Sequence, residues 1–256
     1  MDDSQFEHRS ADTLPLEVLG AATCEDTAIT RSRLQALGIP FQETDIDRDP
    51  AAAERVAVLN AGHRVTPTLV FGDDRFVVAE PSLERLGELL VQAGYAMEPP
   101  RAIEYPGDPW PGLIPASPLV VVGGGSATFD SLRDHRSALL FFGHGPRCLA
   151  CFGYARQLAA RYVELGDPLA RAVFVVEGEA GAAASWRDEL PSGVVLLADP
   201  DGAWRAAVST HVGLPATALN LLILDGSGAL RVGSSAPEAG GLIDPAEAVA
   251  RLASLS

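Results

Sequence analysis

The chain has 256 residues, 47% of them hydrophobic and 21% charged, so it can bury one large core or two small ones and is not disordered as a whole. Its formal charge of −15 opposes binding to nucleic acid or anionic lipid, because both need clustered cations to neutralise phosphates. All 19 basic residues are Arg, which excludes Schiff-base chemistry on Lys and any Walker-type phosphate loop.

In chain order, "MDDSQFEHRSADTLP" is acidic and has no apolar stretch, so it reads as no secretory signal, and no run is long enough for a bilayer span. A reducing, cytoplasmic setting is expected on that ground, and there a C-x-x-C is more often catalytic or metal-binding than structural. "LEVLG" (16–20) predicts a strand, and "CEDTAITRSRLQALG" (24–38) a helix with Thr23 as its cap and Gly38 as its stop. "PFQETDID" (40–47) is a second strand and "PAAAERVAVLNAG" (50–62) a second helix ended by Gly62. "TLVFG" and "RFVVA" flank a tight "GDD" turn as a hairpin, and "PSLERLGELLVQAG" closes the half as an amphipathic helix.

"GYAMEPPRAIEYPGDPWPGLIPASP" (94–118) carries seven Pro and divides the chain. Beyond it come the strand "PLVVVGGG", the segment "TFDSLRDH" and the fully apolar "SALLFFG", a buried central strand. The helix "CLACFGYARQLAARYVELG" (148–166), the strand "RAVFVVEG", a short helix around "AAASWRDEL" and the strand "GVVLLADPDG" follow. The helix "AWRAAVSTHVG" (203–213), the strands "LNLLILD" and "ALRVG", and the helix "DPAEAVARLASL" end the chain. The first half reads β-α-β-α-β-β-α and the second repeats the alternation with insertions. The fold class is therefore α/β: two tandem thioredoxin-like folds, each a mixed central sheet flanked by helices. Their expected limits are 14–93 and 117–256, joined by a Pro-rich linker over 94–116.

The first half resembles glutaredoxins in its cysteine after the first strand, Cys24, in "VTPTLVFGD" (65–73) and in "AEPSLERL". The resemblance implies that Cys24 attacks mixed disulfides and that Thr66 and a cis Pro67 shape a substrate groove. Two features depart from that family. Thr27 stands at the second cysteine, and the Gly-Phe-Ser and Lys of cluster-holding monothiol members are missing. A helix N-terminus favours the Cys24 thiolate, while Glu25 and Asp26 oppose it.

The second half is similar to the redoxin branch, thioredoxin-like and peroxiredoxin-like proteins, in "TFDSLRDHRSALLFFG", the cysteine pair, "LLADPDGAW" and "LLILDGSGAL". By that resemblance Cys148 is the exposed nucleophile and Cys151 the buried resolving thiol. Arg147 replaces the usual Trp, and the usual cis-proline has no clear counterpart, its place falling to Ala218 or Leu219. Peroxiredoxins carry Thr or Ser three residues before the peroxidatic cysteine. Cys148 occupies that place relative to Cys151, which argues against a self-contained peroxidase.

The residues support the exchange reading on their own. In a C-x-x-C at a helix start, unpaired N–H groups lower the first thiol's pKa, the second lies one turn on within bonding reach, and Arg147 adds positive charge. The expected function is thiol–disulfide exchange by Cys148 and Cys151, with Cys24 as a candidate electron relay, the linker being long enough to let the two edges meet. Rivals are a thiol peroxidase and a non-catalytic partner- or metal-binding module. His144, Cys148 and Cys151 could ligate copper or zinc, but three donors fall short of structural zinc's four, so no metal is assigned. The expected partners are a disulfide-containing protein or a low-molecular-weight thiol acting as electron donor; no other cofactor, nucleic acid or membrane is expected. His63, His8, His135 and His211 read as surface or helix positions, "DPDG" (199–202) as a turn and cap, and Trp186 and Trp204 as core.

Overall fold

A computed structural model describes residues 13–107, 118–128, 131, 134–166, 170–213, 215 and 217–255. His8, residues 108–117 of the Pro-rich stretch and residues 129, 130, 132 and 133 of "TFDSLRDH" lie outside them, as does the side chain of His211. The chain forms two compact units, Met1–Pro99 and Pro100–Ser256.

In the first unit the order is β1 (Leu16–Gly20), α1 (Glu25–Ala36), β2 (Gln42–Asp45), α2 (Pro50–Leu59), β3 (Thr68–Phe71), β4 (Phe76–Ala79) and α3 (Leu83–Gln92). The sheet runs β2-β1-β3-β4, with β1 parallel to β2 and antiparallel to β3. Each helix starts where a side chain takes up orphan N–H groups. Asp49 accepts from Ala51 and Ala52 ahead of α2, and Ser82 accepts from Arg85 ahead of α3. The α1 cap is Cys24 rather than the expected Thr23: its sulfur accepts from the Thr27 N–H, which fixes the cysteine at the helix mouth. Leu83, Leu86, Leu89 and Leu90 of α3 recur at helical spacing and are buried, and the last three join Leu16, Val18, Leu69 and Phe71 of the sheet in one core.

The second unit contains β5 (Ile103–Glu104), β6 (Leu119–Val121), β7 (Ser126–Ala127), β8 (Ser137–Gly143), α4 (Leu149–Leu165), β9 (Ala170–Glu177), α5 (Ala184–Glu189), β10 (Val194–Asp199), α6 (Ala203–Val212), β11 (Leu219–Leu224), β12 (Leu230–Ala236) and α7 (Pro245–Ala253). Its sheet order is β5-β12-β11-β8-β9-β10-β6-β7. Within it, β9-β8-β11-β12 repeats the first unit's β2-β1-β3-β4, with β8 parallel to β9 and antiparallel to β11. Both units therefore have the thioredoxin-type topology.

Every residue of β8 is buried, as a strand covered on both faces must be. Ala138, Leu140 and Phe142 face a cluster with Trp204 and Val208 of α6, whereas Phe141 meets Tyr154 of α4 and Phe174. That alternation places α4, and the cysteines at its start, on one face of the sheet. Gly166, left-handed at φ 62°, ends α4. Trp186 and Trp204 are core residues, as expected. "DPDG" serves as a cap: the Asp199 carboxylate accepts from the N–H groups of Trp204 and Arg205. Ordered structure also enters the Pro-rich stretch, since Tyr95 packs into the first core and Ile103–Glu104 pairs with β12.

Candidate active site

Cys148 caps α4, and its sulfur accepts from the Cys151 N–H at 3.2 Å. The two cysteines form a disulfide across a Cα–Cα distance of 5.2 Å. Cys148 is half-buried and Cys151 fully buried, so an incoming sulfur reaches the first and not the second. Arg147 is exposed beside Cys148, and Leu149 is an exposed apolar side chain on its other side. Behind the pair, Phe152 stacks at a tilt on Trp186, whose indole N–H donates to the Pro146 carbonyl at 3.1 Å. The loop that delivers Cys148 is thus tied to the core.

Sequence reasoning gave His144 a part only as a metal donor and Thr217 none. The ring of His144 lies between the disulfide and the loop before β11: its Nδ1 is 3.8 Å from Cys151 Sγ and its Nε2 is 3.2 Å from the Thr217 carbonyl. A carbonyl oxygen only accepts, so Nε2 carries the hydrogen and, in the neutral ring, Nδ1 turns its lone pair to the sulfur. "GHGPRC" put a histidine four residues before Cys148; nothing in the sequence marked Thr217, which acts through its backbone. Ala218 stands directly before β11, as Pro67 stands directly before β3.

In the first unit, Cys24 is half-buried and unpaired in a disulfide, and its thiol donates to the Thr66 carbonyl at 3.3 Å. The Thr66–Pro67 peptide bond is cis, the only such bond among the described residues. The structure therefore brings Cys24, Thr66 and Pro67 to one edge, as the resemblance implied. Asn60 steadies that edge by donating to Thr68 Oγ1, which itself donates to the Val65 carbonyl. His63 is exposed, in keeping with its reading as a surface position.

Residues 16–77 match the family model for glutaredoxin. The matched stretch begins at the first strand of the first unit and includes Cys24 and the cis-Pro edge, so this unit is its glutaredoxin-like part. No curated protein matches the chain. Among solved structures, dsbF of Mycobacterium tuberculosis is 21% identical, with 57% of this chain and 98% of that one covered and a TM-score of 0.44. A secreted disulfide oxidoreductase of the same organism, homologous to E. coli DsbE, is 19% identical over 55% of this chain and 96% of that one, with a TM-score of 0.44. A peroxiredoxin Q variant of Xanthomonas campestris is 15% identical over 60% and 98%, with a TM-score of 0.47. The fold assignment rests on the strand order of the chain itself.

His144, Cys148 and Cys151 are the described residues whose donor atoms are gathered closely enough to share a metal ion, all within 4.8 Å of one another. Among the described residues no helix is long and apolar enough to cross a membrane.

Proposed function

We propose that the chain catalyses thiol–disulfide exchange, with Cys148 as nucleophile and Cys151 as resolving thiol. One observation carries this reading: a disulfide that joins a half-buried helix cap to a buried cysteine one turn further on. In the reduced protein the Cys148 thiolate attacks a substrate disulfide, one sulfur of which leaves as a thiolate. Cys151, deprotonated, then attacks Cys148 Sγ in the mixed disulfide and releases the second substrate sulfur. The substrate gains two electrons and two protons, and the protein is left with the internal disulfide. An external thiol of low molecular weight restores the reduced pair, and the exchange itself requires no other cofactor.

The asymmetry of the pair supports those roles. The N–H of Cys151 and the start of α4 stabilise negative charge on Cys148, and Arg147 adds a positive charge beside it. Leu149 gives a polypeptide substrate an apolar foothold next to the reacting sulfur. Substrates of this reading are disulfide-containing proteins or mixed disulfides. The reduction potential sets the direction: roughly −270 mV makes a reductant and roughly −120 mV an oxidant. At the glutaredoxin-like unit, Cys24 would carry a mixed disulfide with a small thiol against the Thr66–Pro67 edge, and would exchange electrons with the Cys148–Cys151 pair.

The test is turnover of a protein disulfide by single-cysteine variants. Cys148→Ser brings the rate down to the uncatalysed background, whereas Cys151→Ser performs the first step and accumulates a substrate adduct on Cys148, seen by non-reducing mass spectrometry. Undiminished turnover by Cys148→Ser overturns the assignment. A Cys24–Cys148 or Cys24–Cys151 crosslink trapped in these variants marks the relay; its consistent absence removes the relay and leaves the exchange.

A further inference from the structure

We propose that, when the Cys148–Cys151 disulfide is reduced, His144, Cys148 and Cys151 bind one thiophilic d10 cation, Zn2+ or Cu+. The inference rests on the exchange reading only in requiring that the pair can be reduced. In the oxidised protein both sulfurs are spent on each other, so the site exists in one redox state alone.

Three observations point to it. Two cysteines separated by two residues, with Cα atoms 5.2 Å apart, have the spacing by which paired thiolates chelate a single ion. The third donor is already oriented. A metal-ligating histidine ordinarily donates its other ring N–H to a carbonyl or carboxylate, which fixes the tautomer and aims the free nitrogen. Here the Thr217 carbonyl holds Nε2, and Nδ1 faces Cys151 Sγ. Finally, the donor set is soft: two thiolates and an imidazole, with no carboxylate in the group, select Zn2+ or Cu+ over Mg2+ or Ca2+.

Access and coordination number agree with this. His144 and Cys148 are half-buried and Cys151 buried, so an ion enters from the His144–Cys148 side. Three protein donors leave zinc an open fourth position, as in zinc sites that accept an external ligand. They suffice for Cu+, which takes low coordination numbers. On binding, two thiol protons pass to solvent and no electron moves. When a disulfide substrate later oxidises the pair, it takes two electrons from the two thiolates and two protons from solvent and becomes two thiols; the S–S bond of the protein forms, and the ion leaves.

The experiment uses the full chain carrying Cys24→Ser, so that the pair supplies all the cysteine sulfur. Reduced under nitrogen, it is titrated with Zn2+ or, separately, with Cu+ against a chromophoric chelator. One equivalent of at least one ion is expected on the reduced protein and none on the oxidised protein. X-ray absorption of the loaded sample should show two sulfurs and one nitrogen from protein. His144→Ala, checked for folding by circular dichroism, removes a direct ligand and should weaken binding by more than the roughly 10-fold that loss of an outer-shell partner costs. The proposal is overturned if neither ion is taken up, if the oxidised protein binds equally well, if His144→Ala binds as tightly, or if the shell holds sulfur and no imidazole nitrogen. Disulfide exchange is assayed in parallel on the metal-free wild-type chain. Exchange without ion uptake removes this inference alone, and uptake without exchange removes the functional reading alone.

Discussion

The two units place a cysteine at the same point of the same topology and finish the site differently. Cys24 and Cys148 both cap the helix that follows the strand at the centre of the repeated sheet, and each sulfur accepts an N–H from the residue three further on. That third residue is fully buried in both, Thr27 in one and Cys151 in the other. Thr27 Oγ1 accepts the Ala21 N–H at 3.4 Å, whereas Cys151 Sγ closes a disulfide. The fold thus supplies a helix mouth for a cysteine sulfur, and a single side chain one turn inside decides whether that sulfur has a disulfide partner. The loops opposite differ too. In the first unit the Thr66 carbonyl accepts directly from Cys24, and in the second the Thr217 carbonyl reaches the sulfurs through His144.

Beyond the cysteine exchanges already described, further substitutions break or sharpen this contrast. The largest effect on stability is expected of Trp186→Ala, because the indole stacks on Phe152 and holds the Pro146 carbonyl of the loop before Cys148. A loss of about 3–5 kcal/mol, read from chemical denaturation of the second unit, should come with slower exchange. Gly20→Ala comes next. A Cβ there would stand 2.4 Å from the Thr27 methyl, so α1 must shift, at about 1–3 kcal/mol. The matching Gly143→Ala meets Cys151 Cβ at 3.8 Å and the Phe141 ring at 3.3 Å and should cost less. Equal costs in the two units would show that helix and strand do not approach more closely in the first.

Thr27→Cys should convert the first site into the second. Mass spectrometry of the oxidised variant should find Cys24 bonded to the introduced sulfur, at about 1 kcal/mol for the lost hydrogen bond to Ala21. If the two thiols stay free under oxidant, the units differ in more than this side chain. The last substitution concerns a carboxylate remote from the cysteines. Burial pushes the Asp225 carboxyl up, but hydrogen bonds from the Ser227 hydroxyl, the Arg231 guanidinium and the N–H groups of Ala229 and Ser227 outweigh it and hold it at about 2. Since that lies below the unfolded value of about 3.9, Asp225 stabilises the second unit above about pH 4, and the contribution is lost as pH falls toward 2. Asp225→Asn should lower stability at neutral pH and flatten the acid limb of the second unit's stability profile; an unchanged limb would show that the Asp225 contacts do not govern it.

Much of this was legible in the residues themselves. Alternation and helical spacing marked the strands and helices because burial on one face imposes a period on the chain, and the C-x-x-C after an apolar strand marked the site because helix geometry alone brings positions 148 and 151 within bonding reach. Trp186 and Trp204 were readable as core from size and context. What the sequence left open were matters of distance along the chain. The α1 cap moved from Thr23 to Cys24 because the sulfur, not the hydroxyl, meets the Thr27 N–H.

The chemistry-bearing partners divide in the same way. Local spacing determined the cysteine pair, its helix and its relation to Arg147, since every contact involved lies within a turn or two. Tertiary structure decided the rest: it set His144 against both Cys151 and a carbonyl 73 residues further along, and Cys24 against a carbonyl 42 residues on. Those meetings depend on β8 pairing with β11 and β1 with β3, and strand register between distant segments is fixed by the packing of the whole sheet rather than by any local pattern.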